Sequence, residues 1–225
     1  MTLVLSFDCA VIGLGVALLR GGDVLAVHRD QDREQAARLL PVIAGIFDTA
    51  QADRRDVSMI AVTIGPGSFT GVRVGLAVAR GLALALDVPL AGISTTTTLL
   101  NQLPKSSRLA VAAVDSRLGD WFCALGEKDK TPFLATTSKL VERLRGRPCV
   151  VIGPPAARLA AELVASGIDA KAEVVLPDPV VLGRLAGERG VESWRARNRD
   201  EGLPRPLYLR GVNVTLPDGQ RRTVD

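Results

Sequence analysis

The sequence predicts an α/β protein composed of two halves that share one order of elements. Its 225 residues are enough for two small domains. Runs of β-branched and aliphatic residues alternate with amphipathic helical stretches, and each half opens with a strand that ends in an aspartate, Asp8 or Asp115. Residues 104–107 form a polar, proline-containing break. We therefore predict an N-terminal lobe over 1–104 and a smaller C-terminal lobe with a tail over 105–225.

The first half follows the order β-β-β-α-β-α. Gly21-Gly22 is a hairpin signal between the second and third strands. Pro41 lies inside the first helical pattern, where it introduces a kink or marks a later helix start. A short strand and a helix capped at Ser94-Thr95 complete this half. The predicted strands are 2–7, 13–19, 24–27 and 59–64, and the predicted helices are 33–49 and 71–86, the second beginning at Thr70 or Gly71.

The second half repeats this order more weakly. Its first two strands pair across a turn at 116–120. A polar, arginine-rich stretch and a tail follow its last helix. The predicted strands are 109–114, 121–125, 149–152 and 172–175, and the predicted helices are 138–146, 155–166 and 178–190.

Composition restricts the chemistry and the compartment. The chain has one histidine, His28, and three cysteines that lack the short spacings of a zinc site, so zinc hydrolases are excluded. A Ser-His-Asp or Cys-His catalyst has only His28 to use. The N-terminal apolar run has no basic region before it and is interrupted by Asp8, so we expect a cytosolic protein with reduced thiols.

The formal net charge is +4, and arginines gather near the C-terminus. Arginines bind the phosphates of nucleic acids, but acidic residues are interleaved with these. We favour a solvated surface, because the interleaved acidic residues offset the positive charge of the cluster. The arginines are Arg195, Arg197, Arg199, Arg205 and Arg210.

The glycine-rich stretch GPGSFTG at 65–71 lies between a predicted strand and a predicted helix. Such a turn can bind an anion at a helix N-terminus, which makes Gly65, Gly67 and Ser68 candidate ligand residues. It lacks the lysine of a Walker A loop and the spacing of a dinucleotide fingerprint. The alternative is a tight turn with Ser68 or Thr70 as the helix N-cap.

The helix after this loop is apolar on nearly every side. Small residues recur every four positions, and valines and a leucine flank them. Since a helix of this kind is buried on more than one side, we favour a partner-binding face over packing against helix 33–49. The candidate interface residues are Leu39, Ile43, Gly71, Val74, Gly75, Val78, Ala79 and Leu82.

Asp8 and Asp115 occupy corresponding strand ends. Two such carboxylates would hold a metal–phosphate complex across a cleft. The residues after them lack the glycine and hydroxyl donors of a phosphate hairpin. We therefore favour structural roles as turn-formers.

These residues resemble the TsaB (YeaZ) family. The resemblance is carried by GPGSFTGVRVGLAVARGLALAL at 65–86, by Asp8 after a strand, and by Arg33-Glu34-Gln35 before Leu39-Leu40-Pro41. The segments VDSRLGD at 114–120 and PLYLR at 206–210 are also similar to family segments. Gln35 departs from the histidine that the family often has, which removes one polar contact.

The resemblance implies an actin-like (ASKHA, ribonuclease H-like) two-lobed fold with duplicated β-β-β-α-β-α units. It implies a cytoplasmic, non-catalytic scaffold in the synthesis of N6-threonylcarbamoyladenosine (t6A) at position 37 of ANN-decoding tRNAs. A TsaD-like paralogue would dock on helices 33–49 and 71–86, and a TsaE-like ATPase would be the third component. ATP, ADP and metal would belong to these partners, and tRNA would be bound only by the complex, with no membrane involved. Asp8, Gly65, Gly67 and Ser68 would then be vestigial, with no catalytic residue and no metal ligand.

Other hypotheses stay open beside the scaffold. A stand-alone ATP-dependent transferase or glycoprotease-like peptidase of the same fold would depend on Asp8, and a tRNA-binding module would use the C-terminal arginines. A homodimer through the same helical face, and a nucleotide at the partner interface, also stay open. The scaffold hypothesis predicts that Gly75→Arg abolishes partner binding and leaves the fold intact.

Overall fold

A five-stranded mixed sheet forms the centre of the first lobe. The computed structural model describes residues 1–32, 34–104, 106–210, 212–215 and 221–224, so Arg33 of the predicted helix, Lys105 of the predicted break and part of the tail lie outside the described residues. The first strand pairs antiparallel with the second and parallel with the fourth, in the order β3-β2-β1-β4-β5. The strands are β1 Leu3–Asp8, β2 Leu14–Arg20, β3 Asp23–Asp30, β4 Val57–Thr63 and β5 Leu90–Ile93.

The second sheet has the same topology. Three antiparallel strands are followed by two strands that add in parallel beyond the first of them, in the order β10-β9-β6-β7-β8. This repetition confirms the predicted duplication and the actin-like fold class. The three-residue strand β8 was not predicted. The strands are β6 Leu109–Asp115, β7 Trp121–Leu125, β8 Phe133–Ala135, β9 Cys149–Ile152 and β10 Ala170–Glu173.

The predicted helices are present with ends shifted by a few residues. Helix α1 runs through Pro41, so the predicted later start is wrong. A further helix, α7, covers the arginine-rich stretch that was predicted only as polar chain. The helices are α1 Gln35–Ala50, α2 Phe69–Leu86, α3 Thr95–Leu100, α4 Thr137–Leu144, α5 Ala156–Ala165, α6 Pro179–Arg189 and α7 Val191–Glu201, with a 3-10 turn at Arg54–Asp56 and a hairpin of β11 Val212–Thr215 and β12 Arg221–Val224.

Helices α6 and α7 pack on the first sheet, although the predicted boundary assigned residues 105–225 to the second lobe. Val4 and Met59, on the sheet face opposite α1 and α2, form a core cluster with Leu182 and Trp194. A Cβ at Gly183 would lie 2.8 Å from the Ser6 hydroxyl, so α6 lies close to β1. A sheet with parallel strands needs a layer on each face, and the chain returns from the second sheet to supply it. Residues 179–201 therefore belong to the packing of the first lobe.

Helix α2 is the one helix in the described part of the chain that is long and apolar enough, by length and composition, to cross a membrane. Helices that cover the sheet of a folded core pass the same test. In this structure Leu76, Ala79 and Ala83 of α2 are buried in the core cluster of the first sheet. Burial on the sheet accounts for the apolar character of one face of α2 and leaves the other face to be explained.

Candidate functional site

A cavity of about 360 Å³ opens where the turn after β1 meets the segment between β10 and α6. One wall comes from residues of the first sheet and its turns, and the other comes from residues 175–178 and Gln102. Asp8 lines this cavity, and Asp115 is not part of the lining. The structure therefore brings only one of the two predicted strand-end carboxylates to the cavity.

Asp8 is a buried carboxyl, only 3% exposed. Its Oδ1 accepts hydrogen bonds from the Thr63 hydroxyl at 2.5 Å and from the Ala10 amide at 3.2 Å. Burial raises the pKa of Asp8 to about 6, and these two hydrogen bonds oppose the rise. The raised pKa means that burying the ionised carboxylate costs free energy, which the rest of the fold must offset to keep Asp8 in this position.

The glycine-rich loop packs directly on the turn after β1. A Cβ at Gly67 would lie 2.0 Å from the Ala10 carbonyl oxygen, and the Ser68 amide donates to that oxygen at 2.6 Å. A Cβ at Gly71 would lie 2.0 Å from the Cys9 carbonyl oxygen. Backbone carbonyls of this chain therefore lie against the helix N-terminus, where a phosphate would have to bind.

The structure favours the capping alternative for the loop. Ser68 is the N-cap of α2, and its Oγ accepts from the Gly71 amide at 3.2 Å. Gly65 has a φ of +97°, a backbone conformation that glycine adopts without strain. Gly67 and Gly71 are required because the loop and the turn approach each other too closely for a side chain.

Asp115 has the structural role that the sequence favoured. Its Oδ1 accepts from the Arg117 amide at 2.7 Å, and its Oδ2 accepts from Arg158 at 2.9 Å. The single histidine is also engaged locally, because His28 Nε2 lies 2.6 Å from Asp30. Within the described ranges, no group of three His, Cys, Asp or Glu side chains is arranged to hold a metal ion.

Five of the eight predicted interface residues are buried inside this chain. Leu39, Ile43 and Ala79 belong to the core cluster of the first sheet, and the small face of α2 lies against Cys9 and β4. The residues of that face are small because α2 packs closely on its own sheet. The prediction that this face contacts a partner is therefore wrong. A Cβ at Gly75 would lie 3.5 Å from Cys9 Cβ, so Gly75→Arg would disrupt the core rather than test docking. The five buried residues are Leu39, Ile43, Gly71, Gly75 and Ala79.

The opposite face of α2 and one edge of α1 are exposed and apolar. Leu84 is 84% exposed and Leu40 is 53% exposed. The other predicted interface residues, Val74, Val78 and Leu82, are half-buried at the margin of the core. We define a candidate docking face, called the docking face below, as Leu40 and Pro41 of α1 with Ala77, Gly81, Leu84 and Ala85 of α2, all exposed.

Sequence reasoning missed this exposed apolar surface, although the sequence of α2 carries its signal. Ala77, Gly81 and Ala85 form a second four-residue repeat of small residues, parallel to the one at Gly71 and Gly75. The sequence contains both stripes, and only the packing of α2 on the sheet distinguishes them.

An arginine at the start of α2 lies between two aromatic rings. Arg73 donates from Nε to the Tyr208 hydroxyl at 2.9 Å, and its guanidinium lies 3.5 Å from the centre of the Phe69 ring. Phe69 is one helical turn before Arg73, whereas Tyr208 is 135 residues away and meets Arg73 only in the folded chain. This contact fixes the C-terminal segment against α2, and Arg80 adds a hydrogen bond to the Pro204 carbonyl.

The C-terminal arginines are mostly engaged with acceptors of this chain. Arg197 pairs with Glu201 at 2.8 Å, Arg199 pairs with Asp200 at 3.3 Å, and Arg210 pairs with Asp120. Arg195 donates to the Asp87 carbonyl at 3.2 Å. These pairs agree with the interpretation of a solvated surface, and Arg210 also links the C-terminal segment to the second lobe.

Comparison with known proteins identifies the family. The model of the family described as TsaD, tRNA N6-adenosine threonylcarbamoyltransferase, matches residues 27–143, which is just over half of the chain. The chain is 35% identical to TsaB of Escherichia coli over 129 residues, 56% of each protein, and 32% identical to TsaB of Bacillus subtilis over 123 residues, 54% of each protein. A solved structure of YeaZ from Pseudomonas aeruginosa superposes with a TM-score of 0.73 at 25% identity, covering 93% of this chain and all of that one.

The chain belongs to the TsaB (YeaZ) family. The match spans about half the length of these two curated TsaB relatives. The segment matched by the family model, 27–143, includes both helices of the docking face. The likeness to YeaZ extends over both lobes, in agreement with the shared two-sheet architecture.

Proposed function

We propose that this chain is a non-catalytic subunit of the bacterial machinery that synthesises t6A in tRNA. In this proposal a TsaD-like subunit performs the transfer, a TsaE-like ATPase is the third component, and tRNA is bound by the assembled complex in the cytoplasm. The similarity to proteins named for t6A biosynthesis supports the pathway. The carbonyls of Cys9 and Ala10 at the glycine-rich loop support a role without nucleotide chemistry at that loop.

The observation that carries the proposal is the exposed apolar docking face. Leu84 is almost fully exposed near the C-terminal end of α2, a helix whose opposite face is buried in the core of the first lobe. Burying a leucine side chain contributes about 1.5–3 kcal/mol. The small residues around Leu84 allow a second helix to approach closely. A TsaD-like subunit of related fold is the partner that the family resemblance implies for this face.

The test replaces one exposed residue of the docking face. Leu84→Arg places a charge in the proposed interface, and the fold tolerates it because the side chain lies in solvent. We expect Leu84→Arg to weaken binding to a TsaD-like subunit at least tenfold in a titration with the purified proteins. Leu118→Arg is the matched control, since Leu118 is 68% exposed on the β6–β7 turn of the other lobe. The control should bind as the wild type does.

Each other outcome identifies a different error. Unchanged binding by Leu84→Arg refutes the docking face. If the wild type is a dimer by sedimentation and Leu84→Arg is a monomer that still binds the TsaD-like subunit, the face serves self-association instead. If the purified chain alone turns over ATP or cleaves peptides, and Asp8→Ala loses that activity, the stand-alone enzyme hypothesis replaces the scaffold hypothesis.

A further inference from the structure

The cavity beside Asp8 has features of a small-molecule site that the docking role does not use. Its volume of about 360 Å³ lies within the usual range for ligand pockets. Much of its wall is apolar, and Ile12 at 47% exposure leaves apolar surface open to solvent. The apolar lining residues are Ile12, Leu14, Val175, Leu176 and Pro177. A ligand with an apolar body matches this wall.

The charged lining of the cavity is acidic. Asp8, Asp30 and Asp178 line it together with a single guanidinium, that of Arg29. Arg29 is already bound, because its Nη2 donates to both carboxylate oxygens of Asp178 at 2.9 and 3.0 Å. With the three carboxyls ionised, the lining carries an excess of negative charge, which repels phosphate groups.

Asp8 is the carboxylate of this lining without a cationic partner. Asp30 is bound by Arg38 at 2.6 Å and by His28 at 2.6 Å, and Asp178 is bound by Arg29. Both hydrogen bonds of Asp8 go to Oδ1. Among the residues that the structure describes, none donates to Asp8 Oδ2, although the side chain is 97% buried. A carboxylate oxygen that lines a cavity and has no donor from the described residues favours a ligand that supplies an N–H donor with positive charge.

The donor set favours an organic cation over a metal ion. Three carboxylates surround the cavity, but no three acidic, histidine or cysteine groups of the described chain are close enough together to ligate one metal. An ammonium group needs only one carboxylate and neighbouring acceptors. Its apolar substituent would lie on Ile12, Leu14 and Leu176.

We propose that this cavity binds a small organic cation, an amine with an apolar body, whose ammonium group donates to Asp8 Oδ2. The site is lined by residues within 8–31, by Gln102 and by residues 175–178, none of which belongs to the docking face, so it does not depend on the proposed role in t6A synthesis. A bound amine would connect the first sheet to the segment between β10 and α6.

The test compares three ligands that share a phenyl ring and differ in their polar group, with ADP as a fourth ligand that carries phosphates. Binding of phenethylamine, 2-phenylethanol, 3-phenylpropionate and ADP to the full chain is measured by NMR titration at pH 8, where Asp8 is ionised. We expect saturable binding of the amine, and binding at least tenfold weaker for the alcohol, the carboxylate and ADP. Asp8→Asn should lower the affinity for the amine at least tenfold. Asp115→Asn removes a carboxylate outside the cavity and should leave the affinity unchanged.

A second variant keeps the test independent of the folding of Asp8→Asn. Ile12→Arg adds a guanidinium at the cavity mouth, where Ile12 is half exposed. Because like charges repel, this variant should also lower the affinity for the amine. Equal binding of the alcohol, tighter binding of ADP or the carboxylate, or unchanged amine affinity in both cavity variants overturns the proposal. Failure of the amine to saturate the wild type also overturns it.

Discussion

Replacing Asp8 by asparagine measures the cost of burying this carboxylate. Asp8 accepts from Thr63 and Ala10 through Oδ1, and an asparagine side chain retains that acceptor. The substitution removes the charge and keeps the shape and the two hydrogen bonds. The difference in the free energy of unfolding between variant and wild type therefore measures the free-energy cost of burying the charge of Asp8.

The magnitude follows from the pKa of Asp8 in the folded and unfolded states. Burial raises it from its ordinary value of 3.8 to about 6 in the fold. Below 3.8 the carboxyl is protonated in both states and the charge costs nothing. As the pH rises from 3.8 to 6 the unfolded chain releases its proton first, so the wild type loses stability, and above 6 the loss is complete. At about 1.4 kcal/mol for each pH unit, the full loss is about 3 kcal/mol.

Urea unfolding at pH 4 and pH 8 gives the required free energies. We expect the advantage of Asp8→Asn over the wild type to be about 2.5 kcal/mol larger at pH 8 than at pH 4. The other titrating groups are common to both proteins and cancel in the comparison. Thr63→Val is a useful companion, because loss of a hydrogen bond that stabilises the ionised form should enlarge the loss of stability at pH 8.

An advantage that is the same at both pH values would refute this reasoning, since it would mean that the charge of Asp8 is buried without cost. A variant that is less stable than the wild type at pH 8 would mean that the charge has a favourable partner in the fold. In that case the proposal of an unpartnered acceptor in the cavity would also lose its basis.

Two further predictions concern the packing of α2 and the ion pairs of β3. Gly71→Ala should destabilise the fold by about 3 kcal/mol or more, because its methyl group would collide with the Cys9 carbonyl. Gly81→Ala on the same helix meets open space and should stabilise it by about 0.5–1 kcal/mol, and chemical unfolding of both variants checks the contrast. Asp30→Asn should show the opposite pH dependence to Asp8→Asn. Burial raises the pKa of Asp30, but hydrogen bonds from Arg38 and His28 outweigh this effect and lower it to about 2. The ionised carboxylate therefore stabilises the fold above pH 3.8, and this stabilisation is lost as the pH falls towards 2. Urea unfolding at pH 2.5 and pH 6 measures this sign, and a larger deficit of Asp30→Asn at pH 2.5 would contradict it.

Local pattern was sufficient for most of the architecture. The aliphatic runs and Gly21-Gly22 predicted the meander of β1 to β3, because alternation and turn chemistry act over a few residues. Ser68 was one of two candidate N-caps, with Thr70, in the capping alternative for the loop, since a cap contacts only the first turn of its helix. The repeated strand-aspartate-turn pattern also indicated the two similar halves.

Elements that depend on distant residues were missed. Helix α7 is polar along most of its length and is held by Trp194, which is buried and donates to the Ala186 carbonyl, and by Asn198, which bonds the backbone of Leu90. Strand β8 has only three residues and exists because β7 offers an edge to pair with. Neither leaves a periodic signal in the sequence.

The sequence by itself determined most of the order of strands and helices, the duplication and the family resemblance, because each depends on neighbouring residues or on a continuous motif. It left open whether the glycine-rich loop binds an anion or caps α2. The tertiary structure decided which small-residue stripe of α2 is buried, where residues 179–201 pack, and that Asp8 but not Asp115 lies at the cavity. These outcomes depend on which surfaces meet when the two sheets and their helices assemble. Gly71 and Gly81 illustrate the difference: both are glycines of one helix, and only the Cys9 carbonyl beside Gly71 distinguishes them.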